Sequence, residues 1–316
     1  MGEAVTAACW AVVGPGAMGL LFAGRMAMAR VPVVLIDHRP DRAARLNRNG
    51  LRLITETGGH RLSVPVALPQ TLDQSPELWL FCVKANATES AANWVRRCVP
   101  PTGVLLTLQN GLGNGERLAE LFGPERVLVG TTSEGATLLG EGVVRHAGTG
   151  ITRLGPMLPE RIDTARAVAE QLQAAGFRVE VTPDWRRAVW AKAIVNAGIN
   201  PLTALLEVPN GRLLEAEASR WLLHQIAREA VRVARAIGVS LEEETMVQEV
   251  EAVCQATAKN RSSMLQDVER GRKTELEAVN GRILEAARKA AVSVPTLEAV
   301  TRLMEAKERL KVRKPV

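Results

Sequence analysis

A chain of 316 residues exceeds the length at which a single core usually stops growing, so two domains are expected. With 47% hydrophobic and 23% charged residues it is ordinary globular material, which excludes an intrinsically disordered or fibrous protein. The net charge of +6, from 40 basic residues interspersed with 34 acidic ones, is that of a solvated surface and not of a nucleic-acid-binding one.

One basic cluster, Lys307 to Lys314, carries no aromatic residue and no adjoining nucleic-acid motif, so no nucleic-acid partner is expected. The small positive excess can still attract anionic ligands. Cys9, Cys82, Cys98 and Cys254 show neither a C-x-x-C pair nor zinc-ligand spacing, and read as reduced, structural thiols. The apolar stretch Ala7 to Gly24 is broken by Gly14, Pro15 and Gly16 and lacks a basic leader, so it reads as neither a signal peptide nor a membrane span. A cytoplasmic protein without a membrane partner is the expectation.

The first half alternates short apolar runs with helical patterns, as a mostly parallel α/β sheet does. Strands are expected at Cys9 to Val13, Val33 to Ile36, Leu78 to Val83 and Val104 to Leu108. Leu51 to Val66 reads as an inserted hairpin turning at Thr57-Gly58-Gly59. From Trp185 onward amphipathic stretches at 217–237, 242–257, 275–291 and 296–312 predict an all-helical second domain. Pro183-Asp184 marks the boundary, with Asp184 a plausible N-cap, giving domains 1–183 and 184–316.

Gly14-Pro15-Gly16-Ala17-Met18-Gly19 follows the first strand and opens a helix, the context in which G-x-G-x-x-G marks a Rossmann-type dinucleotide site. Gly14 permits the turn, Gly16 lets backbone approach a pyrophosphate, and Gly19 lets helix and strand pack closely. After the second strand, Asp37 stands where an acid binds the ribose hydroxyls of NAD, while His38 and Arg39, with Arg42 and Arg45 beyond, suit the 2′-phosphate of NADP. Both cofactors remain open on this evidence. Lys84 and Asn110 follow the third and fourth strands at the edge where such sheets bind ligands, although Asn110-Gly111 is also a common turn.

In the helical half, Lys192, Asn196 and Asn200 recur every four residues in an apolar helix and share one face, with Pro201 expected to end or kink the helix. One Lys between two amides is unlike a solvated face, which normally carries several charges. Asn260, Ser263 and Asp267 form a second stripe if that stretch is helical, followed by Glu275 and Asn280; singly, each suits a cap or the surface as well as a ligand.

Taken together, Gly14 to Gly19, Lys84, Asn110-Gly111, Lys192 to Leu205, Ser262-Ser263-Met264-Leu265-Gln266-Asp267, Thr274-Glu275-Leu276 and Asn280-Gly281 resemble the ketopantoate reductases over nearly the whole chain. The resemblance implies an N-terminal Rossmann domain, a C-terminal helical domain, and NADPH-dependent reduction of 2-dehydropantoate in pantothenate biosynthesis, with the active site in the cleft between the domains. It implies Lys192 as general acid, and Glu275 as a partner that binds the substrate hydroxyl and orients the Lys. Asn110 would contact substrate and nicotinamide, and Asn196, Asn200, Asn260 and Ser263 would line the substrate pocket, Ser263 near the carboxylate. Lys84 would lie on the cofactor side and Asp267 would support the pocket wall.

The chemistry suits these residue types: hydride reaching a ketone leaves charge on oxygen, which a Lys with a lowered pKa can stabilise and protonate without a metal ion. The chain departs from the family at Asp37, where NADP-using members tend to place a basic residue just after the second strand, so NADP is favoured and NAD stays open. Reduction of another small 2-oxo acid, or a non-catalytic NADP-binding sensor, are the competing readings. The helical domain is compatible with a homodimer.

Overall fold

A computed structural model describes residues 9–73 and 75–311. The first residues of the apolar stretch, Ala7 and Ala8, and the end of the basic cluster, 312–314, lie outside them. The chain divides into two compact units, Met1–Gln109 with Asn114–Trp185, and Asn110–Gly113 with Arg186–Val316. The expected sequence of an α/β half followed by a helical half is what the chain forms.

In the first unit the strands are β1 (Trp10–Val13), β2 (Val33–Ile36), β3 (Leu51–Thr55), β4 (Gly58–Leu62), β5 (Val66–Ala67), β6 (Leu78–Phe81), β7 (Val104–Thr107), β8 (Val127–Thr132), β9 (Gly135–Gly140), β10 (Val143–Gly148), β11 (Ile151–Pro156) and β12 (Arg178–Val181). Eight make one sheet in the order β12-β11-β8-β7-β6-β1-β2-β5, parallel throughout except where β11 meets β8. The strand order reverses at β1, between β2 and β6, which creates the crevice where doubly wound sheets bind ligands. Helices α1 (Ala17–Met28), α2 (Pro40–Asn49), α3 (Thr88–Val95), α4 (Asn114–Phe122) and α5 (Ile162–Ala174) connect these strands.

A second sheet, in the order β4-β3-β10-β9, also packs on α1. Lying between two sheets, α1 buries Gly19 to Gly24 and Met26, so its sequence is apolar almost all round instead of amphipathic. This accounts for the long apolar run that begins the chain. The hairpin differs from expectation in two respects. Thr55 pairs with Gly58, so the chain turns at Glu56-Thr57, and both glycines enter β4. Val66 leaves the hairpin and joins the main sheet beside β2.

The second unit is built from α6 (Trp185–Leu206), α7 (Glu217–Ala236), α8 (Glu243–Ala256), α9 (Ser263–Glu269), α10 (Arg282–Lys289) and α11 (Pro295–Lys311), around a core that includes Ile194, Ala197, Leu223, Ile226, Val250 and Leu297. Of the two outcomes expected at Pro201, an end or a kink, the first does not occur: α6 runs to Leu206 with the proline inside it. Proline has no N–H for the carbonyl four residues back, which is that of Ala197. That carbonyl accepts instead from the Asn280 side-chain Nδ2, at 3.3 Å, and Asn280 is wholly buried. Asn280 therefore lets the helix continue.

Replacing Asn280 by Ala is expected to strand the Ala197 carbonyl and lower unfolding free energy by about 1–3 kcal/mol in urea titration. Adding Pro201→Ala, which restores a backbone donor, should recover part of the loss.

Candidate active site

The Gly-rich loop lies at the carboxyl end of β1. Gly14 adopts φ +100°, and a Cβ there would stand 2.7 Å from the Val83 side chain at the end of β6. A Cβ on Gly19 would meet the Gly14 carbonyl oxygen at 2.0 Å, so helix and turn pack too closely for any side chain. Gly16 differs, because nothing lies within 4 Å of where its Cβ would be. No internal contact demands glycine there, which fits a position kept bare for a ligand. Gly16 is also the N-cap of α1, without a side-chain cap and with no acid in the first turn, leaving the helix N-terminus disposed toward an anion. Pro15 is a buried residue of the loop, and Ala17 and Met18 begin the helix. The loop thus fits a dinucleotide pyrophosphate.

Asp37, His38 and Arg39 follow β2. The Asp37 carboxylate is fully buried and takes Arg42 Nε at 2.5 Å on Oδ2, with Arg42 Nη2 at 2.7 Å and Arg39 N at 3.1 Å on Oδ1. His38 is exposed and stacks on Trp94 of α3, with ring centroids 4.1 Å apart. Arg39 pairs at the surface with Asp41. A cavity of about 310 Å³ is bounded by Pro15, Arg39 and Arg42 on one side and the β9–β10 turn, including Glu141, on the other. Lys84 is exposed just beyond β6.

Sequence reasoning gave no role to Gln109, yet it ties the ends of β6 and β7 together. Its Nε2 donates to Val83 O at 2.7 Å and to Thr88 Oγ1 at 2.8 Å, while Thr107 Oγ1 donates to its Oε1. The signal was its place directly after a buried strand. A polar side chain there has strand-end backbone groups within reach.

In the helical unit Lys192, Asn196 and Asn200 are all partly buried along α6. Burial lowers the Lys192 pKa to about 8, against an opposing lift from the Glu275 charge. Glu275 precedes a short π-turn, Glu277–Gly281, and Thr274 Oγ1 accepts the Leu276 N–H at the start of that segment. Asn110 Nδ2 donates to Glu275 Oε2 at 3.3 Å, bringing Asn110 and Glu275 into one group with the Lys192 charge. The backbone secures this join, since Leu112 N donates to Ala278 O at 3.0 Å. Gly111 has φ +90°, and a Cβ there would lie 2.4 Å from that same carbonyl.

Asn260 and Ser263 do not share a helical face. Asn260 lies in the loop before α9, where its carbonyl accepts Asn210 N, and Ser263 is the first residue of α9; both are exposed. Ser262 fixes this start, its buried hydroxyl accepting Leu265 N as the N-cap and Thr203 Oγ1 of α6 at 2.7 Å. Asp267 is buried and pairs with Arg272 at 2.8 Å. Among the described residues, no disulfide joins Cys9, Cys82, Cys98 or Cys254. Among the described residues, no helix is long and apolar enough to cross a membrane.

The chain matches family models described as ketopantoate reductase PanE/ApbA over residues 10–159 and as its C-terminal domain over 184–308. It is 39% identical over 300 residues to a 2-dehydropantoate 2-reductase of Halobacterium salinarum, covering 94% of this chain and 98% of the relative. A 2-dehydropantoate 2-reductase of Bacillus subtilis is 32% identical over 302 residues, at 94% and 97% coverage. Among solved structures, a PanE/ApbA family ketopantoate reductase from Ralstonia eutropha aligns with TM-score 0.87 and 30% identity over 96% of this chain and 99% of that one. D-mandelate dehydrogenase in a ternary structure with NADH and anilino(oxo)acetate aligns with TM-score 0.91 at 24% identity over 96% and 99%, a likeness of fold. Matched in both halves, and along almost its full length by relatives above 30% identity, this chain belongs to the ketopantoate reductase PanE/ApbA family.

Proposed function

We infer that the protein reduces the ketone of 2-dehydropantoate to give pantoate, using a nicotinamide cofactor, in pantothenate biosynthesis. The observation that supports this most strongly is Lys192, a partly buried ammonium with pKa near 8 and a carboxylate, Glu275, acting on it. In this reading residues 1–183 form the cofactor domain and 184–316 the substrate domain, and the reaction takes place in the cytoplasm.

When bound, the reduced nicotinamide supplies a hydride to the ketone carbon. As charge develops on the ketone oxygen, the Lys192 ammonium hydrogen-bonds it and then delivers a proton, leaving an alcohol and a neutral amine that regains its proton from water. Glu275 keeps a useful fraction of the amine protonated and accepts from the substrate hydroxyl. Asn110, held through Glu275, faces substrate and nicotinamide. Asn196, Asn200, Asn260 and Ser263 supply neutral donors for the substrate carboxylate, with Ser263 nearest to it; amides and hydroxyls do this at a lower desolvation cost than further charges would. Asp267, with Arg272, braces the segment that carries Ser263.

Of the two nicotinamide cofactors we propose NADPH, because Asp37 is already engaged by Arg42 while Arg39, His38 and Lys84 are exposed toward solvent. Initial rates of reduced-nicotinamide oxidation with ketopantoate, pyruvate and 2-oxoisovalerate, each with NADPH and NADH, test the reading. Selective turnover of ketopantoate is expected, and equal rates on all three acids would refute the substrate assignment.

Lys192→Ala should lower kcat by roughly 10²-fold or more while the protein stays folded by circular dichroism. Because the reaction consumes the protonated amine, kcat for reduction should fall as pH rises through about 8. Glu275→Gln removes the charge that raises this pKa, so in rate-versus-pH profiles the falling limb should move to lower pH. Gly111→Ala, which places a methyl against the Ala278 carbonyl, should cut kcat by about 10²-fold through misplacement of Asn110, with the protein still folded by circular dichroism.

A further inference from the structure

We propose that Arg42 sets the cofactor preference by holding the Asp37 carboxylate in a closed ion pair, so that the adenosine ribose of the cofactor meets neither an acceptor nor a negative charge there. This rests on the dinucleotide reading of the first unit and deepens it by naming the residue that decides between the two nicotinamide cofactors.

An acid after the second strand selects NAD because its two oxygens accept the ribose hydroxyls, and its charge repels a 2′-phosphate. In this chain both oxygens are occupied. The Arg42 guanidinium binds them as a fork, through Nε to Oδ2 and Nη2 to Oδ1, and the Arg39 backbone N–H adds a third bond. A bidentate charge-assisted pair satisfies the carboxylate and cancels most of its field. The Asp37 side chain is fully buried, so removing its partner would leave a buried charge unpaired, which is the expensive way to break such a pair.

The neighbouring pairs are of another kind. Arg39 meets Asp41 with both side chains about half exposed, at 50% and 54%, and Arg45 meets Asp41 and Glu141 in similar exposure. Such surface pairs contribute little and exchange readily for a better anion. A 2′-phosphate can therefore draw Arg39 from Asp41 at small cost while Arg42 stays with Asp37. The His38 ring, stacked on Trp94, has its Nδ1 3.7 Å from Asp37 Oδ1, so the loop is held on both flanks. Arg42 acts through Asp37 and is a positioning residue.

The test is calorimetric titration of the full-length protein with adenosine 2′,5′-bisphosphate and adenosine 5′-monophosphate, which reads the 2′-phosphate without turnover. Wild type should bind the bisphosphate more tightly. Arg42→Ala should weaken the bisphosphate about tenfold or more, the scale of exposing an unpaired charge, while the monophosphate changes by less than about threefold. Asp37→Asn/Arg42→Ala, which also removes the charge, should restore most of the lost affinity. If Arg42→Ala proves unstable, Asp37→Asn alone must leave bisphosphate binding unchanged or tighter.

Equal losses for both ligands, a double variant as weak as Arg42→Ala, or a weaker bisphosphate complex in Asp37→Asn would each overturn the proposal; the second would make Arg42 a direct phosphate ligand. Tighter binding of the monophosphate by wild type would overturn it as well, yet ketopantoate reduction driven by NADH would then leave the enzymatic reading standing. Failure of ketopantoate reduction with both cofactors would refute that reading and leave the ratio of nucleotide affinities to judge Arg42.

Discussion

Partial burial of one ammonium group is the constraint on which the helical unit depends. Lys192 projects from α6 among residues that pack into an apolar core, and that setting brings its pKa down to about 8. A folded-state pKa below the unfolded value means that the charged form is less welcome in the fold. The cost is present in full below pH 8 and is relieved only as pH rises toward the unfolded value. The protein therefore carries a destabilising group at neutral pH, one whose proton is more easily given up than that of an exposed lysine. This is the kind of local conflict expected at a functional position.

Several features of the helical unit exist to make that position rigid. Pro201 would normally interrupt α6 one helical turn past Asn196, but Asn280 supplies the missing donor to Ala197 and the helix continues. Asn280 closes the π-turn whose Ala278 carbonyl receives Leu112 N, and that bond sets the loop carrying Asn110 against the segment carrying Glu275. Thr203, two residues beyond the proline, donates to Ser262 and fixes where α9 begins, hence where Ser263 stands. A widened turn at such a junction is a recurrent device at functional sites, since it exposes a carbonyl that a regular helix would consume.

What could be read from sequence was what is encoded locally. The Gly-rich loop announces itself because its glycines stand at a fixed short spacing between a strand and a helix, and the buried parallel strands do so because they are continuous apolar runs. The polar stripe of α6 was visible as a four-residue spacing within an apolar helix. The strands between 127 and 181 gave no comparably clean pattern, and the second sheet that covers α1 was invisible except for its hairpin. That hairpin was turned at the wrong residues, because glycines suggested a turn where they serve as strand positions. A common face for Asn260 and Ser263 depended on the stretch being helical; the helix starts only at Ser263, where the local Ser262 cap on Leu265 N is joined by a contact from Thr203, 59 residues away and not legible in the sequence. The partner of Asp37 was equally hidden. It lies five residues on, across a strand end and a helix start, where no regular spacing applies.

The two halves apply the same electrostatic device with opposite choices of cation. In the proposed reaction the cation at 192 releases its proton near neutral pH, and a lysine whose pKa is tuned by burial and by Glu275 can do so, whereas a guanidinium stays charged throughout the accessible range. At 42 the cation has to remain charged and match a carboxylate with two parallel bonds, which the arginine fork does and a single ammonium cannot. Glu275 is useful because it does not fully neutralise its lysine, and Arg42 because it fully occupies its aspartate. Exchanging lysine and arginine between these positions would preserve the net charge of +6 and remove both proposed roles, so residue chemistry and not charge count is what the sequence has to specify.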